Sequence, residues 1–181
     1  MREYILEIRK LISQEHCKKI ISIFDKNLET ARTVGGENRS IRNCDLTSIL
    51  HPISFGEKIC SNFIQSKMFE CVDLYKQKFP YLEVEKLSAI NFLRYDHNEY
   101  KAGYLFHCDF GTKVPLRHIS ISICLNNDFE GGEFVFDIPG GEMTVPQNVG
   151  DAIVFPSNFM FPHQVNKIIN GTRYALVGWV I

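Results

Sequence analysis

The chain has no excess of either charge: 20 lysines and arginines stand against 21 aspartates and glutamates, for a formal net charge of −1. It therefore lacks the positive field that phosphate backbones require, and a nucleic-acid partner is not expected. A leader and a long apolar run are lacking too. Near the N-terminus Tyr4, Ile5, Leu6 and Ile8 are interrupted by Arg2, Glu3, Glu7 and Arg9, which fits neither a signal peptide nor a membrane span and implies a cytoplasmic protein. No C-x-x-C pair occurs among the six cysteines, so neither a zinc ribbon nor a thioredoxin motif can be read. Cys17, Cys71 and Cys124 fall at apolar positions of expected elements and read as reduced, buried small hydrophobes. Repeats, low-complexity tracts and linkers are also missing, so residues 1–181 read as a single domain with enough length to bury a core.

What is present divides into helices first and strands afterwards. Ser13 can N-cap a helix with apolar positions Cys17, Ile20, Ile21, Phe24 and Leu28 at three- and four-residue spacing. Ser54-Phe55-Gly56-Glu57 has the form of a capping box, and the helix it opens should stop before Pro80. Thr30 to Leu50 lacks a clear period and reads as a long loop. From Val84 the period changes to two, clearest in Ile119-Ser120-Ile121-Ser122-Ile123-Cys124-Leu125. Strands are expected near 87–95, 102–109, 117–125, 133–137, 142–145, 151–156, 163–169 and 173–181, with turn signals such as Gly131-Gly132 and Asn170-Gly171 between them. Eight short strands suit a double-stranded β-helix, or jelly roll. The fold expected is α+β and mainly β, with 84–181 as the core and 1–83 as two buttressing helices plus a loop.

Within the strand-rich half, His107-Cys108-Asp109 is followed by His163 and then by Arg173. Two imidazoles and one carboxylate are the donor set of a facial triad that binds non-haem Fe(II) and leaves positions open for other ligands. On a strand, His107 and Asp109 would share a face while Cys108 points away. An isolated H-x-D arises often by composition, so the neighbouring residues decide. His16, His51, His97 and His118 read as solvated or core histidines, although His118 is close enough in sequence to be considered as a third imidazole.

Those neighbours are Asn91-Phe92-Leu93-Arg94-Tyr95, Tyr104-Leu105-Phe106-His107-Cys108-Asp109, Leu125 through Phe134, Gly150 through Ser157, His163-Gln164-Val165 and Gly171 through Trp179. In this order they resemble the catalytic domain of prolyl 4-hydroxylase-like 2-oxoglutarate/Fe(II) oxygenases, over roughly residues 88–181. The resemblance implies an enzyme that couples oxidative decarboxylation of 2-oxoglutarate, to succinate and CO₂, to hydroxylation of an unactivated C–H bond. It implies Fe(II), 2-oxoglutarate and O₂, with ascorbate as reductant, and a prolyl residue of a peptide or protein as substrate. His107, Asp109 and His163 would hold the metal. Arg173 would clamp the distal carboxylate of 2-oxoglutarate, helped by Tyr95, and Trp179, six residues beyond Arg173 on the same strand face, would wall the pocket. Collagen-type members carry lysine where Arg173 stands, so the chain sides with the smaller soluble, bacterial or phage members. Asp109 argues against a halogenase, and Trp179 stands where a nucleic-acid demethylase would carry a second arginine. Tyr104 beside His107, and Arg32, Arg39 and Arg42 in the 30–50 segment, are candidate substrate contacts, the segment acting as a mobile lid. A small-metabolite hydroxylase and a non-catalytic, cupin-like metal-binding jelly roll are the other readings of the same residues. Oligomeric state cannot be read.

Overall fold

A computed structural model describes residues 1–33, 36–99, 102–111 and 116–181. Two helices precede most of the strands. α1 (Gln14–Phe24) starts at Ser13, whose hydroxyl accepts from the His16 amide, and ends a turn before Leu28, which packs on the core from outside the helix. α2 (Phe55–Lys78) is capped by Ser54, which accepts from the Glu57 amide, while the Glu57 carboxylate turns back to accept from the Ile53 amide. No described helix is long and apolar enough to cross a membrane.

The strands form two antiparallel sheets. The larger contains β1 (Leu6–Ile8), β2 (Glu29–Thr30), β4 (Asp45–Ser48), β5 (Leu87–Asp96), β7 (Ile119–Cys124), β11 (Ala152–Pro156) and β13 (Ile168–Val180) in the order β1-β11-β7-β13-β5-β4-β2, with β8 (Phe129–Gly131) pairing to the start of β13. The smaller has β3 (Arg42–Asn43), β6 (Gly103–His107), β9 (Phe134–Ile138), β10 (Gly141–Val145) and β12 (His163–Val165) in the order β10-β9-β12-β6-β3.

The eight expected strands are all present, and the jelly-roll architecture with helices against one sheet is the one found. The segment expected as a long loop differs: it carries β2, β3 and β4, because its backbone finds partners in β5 and β6, which lie far along the chain. Val34 and Gly35 of that segment lie outside the described residues. Asn170-Gly171 does not end a strand. Gly171, at φ +78, instead lets β13 run on through an irregular register against β8.

The period-two pattern explains how the layers meet. In β7, Ile119, Ile121 and Ile123 join the core between the larger sheet and the helices, while Ser120 and Ser122 face the space between the sheets. In β13, Leu176 and Val180 face the helices, and Arg173, Val177 and Trp179 occupy the opposite face. α2 comes close to β13 at Gly178, where an added Cβ would lie 3.1 Å from the Met68 sulfur. The N-terminal segment is fastened by Gly150: at φ +79 it brings its carbonyl to the Ile12 amide, and a Cβ there would lie 1.8 Å from the Ile12 oxygen.

Candidate active site

His163 and His107 are directly opposite each other on neighbouring strands β12 and β6, so sheet pairing alone brings the two imidazoles together, with ring centroids 4.3 Å apart. Asp109 arrives differently from the sequence expectation. β6 ends at His107, so His107 and Asp109 do not share a strand face, and Cys108 lines the cavity instead of turning away from it. Asp109 is held from the other sheet: the Ser120 hydroxyl donates to its Oδ2 at 2.6 Å, Ser120 is linked to Ser157 at 2.8 Å, and Trp179 lies beside the carboxylate.

The result is convergent. Asp109 Oδ1 is 3.7 Å from His107 Nε2, Asp109 Oδ2 is 3.5 Å from His163 Nε2, and one donor atom from each residue lies within 4.8 Å of the others. Each imidazole points its Nδ1 at a backbone carbonyl, His107 at Leu105 (2.8 Å) and His163 at Phe161 (3.1 Å). With Nδ1–H donating there, Nε2 keeps its lone pair for a metal. Burial, and then the neighbouring His163, push the His107 pKa well down, so its ring is neutral and competent as a ligand. Burial pushes the Asp109 pKa up, but its polar surroundings, among them the bond from Ser120, outweigh it and bring it below its ordinary value. The rings are also immobilised: Tyr104 stacks on His107 at 3.5 Å and Phe134 on His163 at 5.3 Å. Among the described residues this is the only cluster of three or more such ligands, and His118 is not part of it.

The three residues open into a cavity of about 500 Å³ between the sheets, whose apolar walls include Phe134, Phe155, Val165 and Val177. Tyr95, Tyr104 and Trp179 line it, as do Arg32 and Arg42. Arg39 does not. Its guanidinium is tied to Asn43, Thr30 and Glu99, so it braces the segment rather than facing the cavity. Arg117, not singled out from the sequence, lies with its guanidinium carbon 3.8 Å from the centre of the Trp179 ring and lines the same cavity. Ser120 was likewise missed. Its only trace in the sequence is a serine alternating with isoleucines in a strand that proves to be buried on both faces.

Arg173 does not line that cavity. It lines a second cavity of about 200 Å³, with Phe134 forming a wall common to both. It is 2% exposed, lies 5.6 Å from the Tyr95 ring centre, and donates to the Gln147 amide oxygen at 3.3 Å. No carboxylate pairs with it among the described residues. Tyr95, opposite Arg173 across the β5–β13 register, is also buried, and burial pushes its phenol up, so it stays a neutral hydrogen-bonding group.

Comparisons with known proteins bear on the family and the fold. A family profile described as the 2OG-Fe(II) oxygenase superfamily matches residues 90–181. A PKHD-type hydroxylase of Idiomarina loihiensis is 26% identical over 181 residues, covering 97% of this chain and 77% of the relative. Among solved structures, a prolyl-4-hydroxylase of Pseudomonas putida superposes with a TM-score of 0.75 at 20% identity, over 98% of this chain and 92% of that one. A prolyl hydroxylase of Trichoplax adhaerens, in complex with a hypoxia inducible factor oxygen degradation domain peptide fragment, superposes at 0.79 with 14% identity, over 99% and 84%. At these identities the structural likeness concerns the fold.

Proposed function

Because the chain belongs to the 2OG-Fe(II) oxygenase superfamily, and is thus a dioxygenase dependent on Fe(II) and 2-oxoglutarate, we propose that it hydroxylates a prolyl residue of a peptide or protein. One observation carries the site assignment: His107, Asp109 and His163 present three donor atoms within 4.8 Å of one another, with both imidazole Nδ1 atoms already engaged by carbonyls. Two imidazoles and one carboxylate fit Fe(II), and three protein ligands leave room for the co-substrate. When bound, iron with 2-oxoglutarate and O₂ supplies the oxidation that places one oxygen on the substrate carbon and leaves succinate and CO₂.

The residues of the chain do the rest. Ser120 fixes the Asp109 carboxylate from the larger sheet, and Tyr104 and Phe134 keep the imidazoles from rotating. Arg173 fits the distal carboxylate of 2-oxoglutarate: a buried guanidinium whose partner is a neutral amide lacks a counter-charge, and a carboxylate with Tyr95 beside it provides one. The apolar walls exclude water from the reacting carbon. Ascorbate would serve as the reductant that keeps the iron ferrous. A peptide substrate is favoured by the cavity of about 500 Å³ between the sheets and by the prolyl hydroxylases among the structures of like fold.

The decisive experiment pairs binding with turnover. Calorimetry under anaerobic conditions should give one Fe(II) site in the wild type and none in His163→Ala or Asp109→Ala. Succinate release and a +16 Da change on proline-containing peptides should vanish in both variants. Retention of wild-type iron affinity by either variant would remove that residue from the ligand set. Succinate release without modification of any peptide would leave the dioxygenase and reject the prolyl substrate.

A further inference from the structure

The cavity that holds the three metal-ligand candidates carries more positive charge than they need. Among the described residues, Arg32, Arg42 and Arg117 line it against two carboxylates, Asp109 and Glu29. Asp109 is committed to the metal site, and Arg32 and Glu29 are both exposed and offset each other, which leaves Arg42 and Arg117. The charges of a divalent metal and of doubly charged 2-oxoglutarate cancel, so they leave this excess in place.

Two of the arginines are built in rather than splayed into solvent. Arg117 lies flat on Trp179 and reaches the Asp109 backbone oxygen only at 3.4 Å. Arg42 is fixed on β3, 4.9 Å over the Tyr104 ring, and donates to the Arg32 carbonyl at 3.2 Å. Each has a buried Nε with no hydrogen-bond partner, and neither makes an ion pair with a described residue. Both guanidinium groups line the same cavity. Holding two like charges beside a low-dielectric cavity is unfavourable unless an anion joins them. The aromatic rings beneath them, Trp179 and Tyr104, are each next to a metal-ligand candidate: Trp179 beside Asp109, Tyr104 stacked on His107.

We propose that Arg42 and Arg117 form a carboxylate-binding subsite for the substrate, so that the enzyme selects peptides with an acidic group next to the residue it hydroxylates. The subsite rests on the peptide-hydroxylase reading of the same cavity. It differs from the place of the co-substrate, whose distal carboxylate is assigned to Arg173 in the adjoining compartment. An anion shared by Arg42 and Arg117 would be anchored one side chain from the metal ligands, which sets the distance at which the reacting carbon is presented.

The chain provides its own reporter, since Trp179 is its only tryptophan and lies under Arg117. The enzyme, loaded anaerobically with Fe(II) and saturating 2-oxoglutarate, is titrated with blocked peptides of one scaffold in which proline is flanked by Glu, by Gln, or by Gln with a free C-terminal carboxylate, and with the Glu peptide carrying Ala in place of proline. The Trp179 emission should respond to at least one acidic prolyl peptide at about tenfold lower concentration than to the neutral one. Which acidic peptide responds identifies a side-chain or a terminal carboxylate. Arg42→Gln and Arg117→Gln should each remove that preference, and Arg117→Glu should reverse it towards a Lys-flanked peptide while a thermal melt establishes that the variant is folded.

Equal binding of acidic and neutral peptides by the wild type would overturn the proposal even if both are hydroxylated. So would an acidic response seen without 2-oxoglutarate and abolished by it, since the arginines would then hold the co-substrate. Binding of the acidic peptides irrespective of proline, with no +16 Da product, would reject the prolyl reading and keep the carboxylate subsite.

Discussion

Replacing Arg173 by methionine tests the co-substrate assignment from two sides at once. The guanidinium is 2% exposed and its hydrogen-bond partner is the neutral Gln147 amide, so without co-substrate it is a buried charge lacking a counter-ion. Exchanging such a group for an apolar one of similar length should leave the ligand-free protein as stable as the wild type, or more stable by about 1–4 kcal/mol. With co-substrate the sign inverts, because losing one partner of a buried charge pair costs about 3–5 kcal/mol, or about two to nearly four orders of magnitude in affinity. At a 2-oxoglutarate concentration about 100 times the wild-type Kd, binding should stabilise the wild type by about 2.7 kcal/mol and the variant by less than about 0.5 kcal/mol. For a chain of 181 residues, that should raise the wild-type Tm by about 5–11 °C and leave the variant almost unmoved. The assay is a thermal melt with anaerobic Fe(II), with and without 2-oxoglutarate, alongside calorimetry showing that iron still binds. A variant that melts several degrees lower without ligand, yet keeps the full 2-oxoglutarate shift, would refute the reasoning and make Arg173 a structural residue.

The arginines of the 30–50 segment should separate by role. Arg39→Ala should lower stability by about 0.5–1 kcal/mol through its lost contacts to Asn43, Thr30 and Glu99 and leave turnover unchanged, whereas Arg42→Ala should impair peptide turnover with little loss of stability. Asp151 accepts from Arg9 and from the Lys10 and Asn148 amides, and these donors outweigh burial to hold its carboxyl below the ordinary 3.8. Its folded pKa is depressed, so its contribution is present above about pH 4 and lost as pH falls through the folded pKa. Asp151→Asn should therefore cost about 1–3 kcal/mol in urea melts at pH 7 and progressively less below pH 4, and a gap independent of pH would rule the charge out. Gly150→Ala combines a left-handed backbone with a Cβ placed 1.8 Å from the Ile12 oxygen, and should cost about 2–4 kcal/mol by the same melts.

Much of this structure was legible because its determinants are local. Ser13 and Ser54 cap the helices through bonds spanning three residues, and the isoleucines of β7 alternate with serines over six residues. The metal-ligand candidates were legible for a different reason: donor chemistry restricts which residues can hold iron, and the motifs appear in order along the chain. What stayed hidden depends on partners remote in sequence. β3 is set by pairing with β6, Arg117 meets a ring 62 positions later, and Asp109 lies beyond its strand because Ser120 of the other sheet holds it there. Arg39 and Arg42 look alike in the sequence, and only the register of β3 against Tyr104 turns one to the cavity. Phe134, standing between Arg173 and the metal-ligand candidates, has no sequence signature beyond being one more aromatic in a strand.

The order of the larger sheet has a consequence for biosynthesis. β13 comes last along the chain yet sits in the middle of that sheet, flanked by β7 on one side and β5 on the other. Until it emerges from the ribosome, the pairs β11–β7 and β5–β4 are separate hairpin-like halves, each with an apolar edge that has no neighbour. Assembly therefore waits for nearly the whole of these residues to be made, and the nascent protein is exposed to association through those edges during that interval. A ribosome-bound chain truncated before Ile168 should be readily cleaved by protease, and the same chain extended through Val180 and clear of the exit tunnel should become resistant.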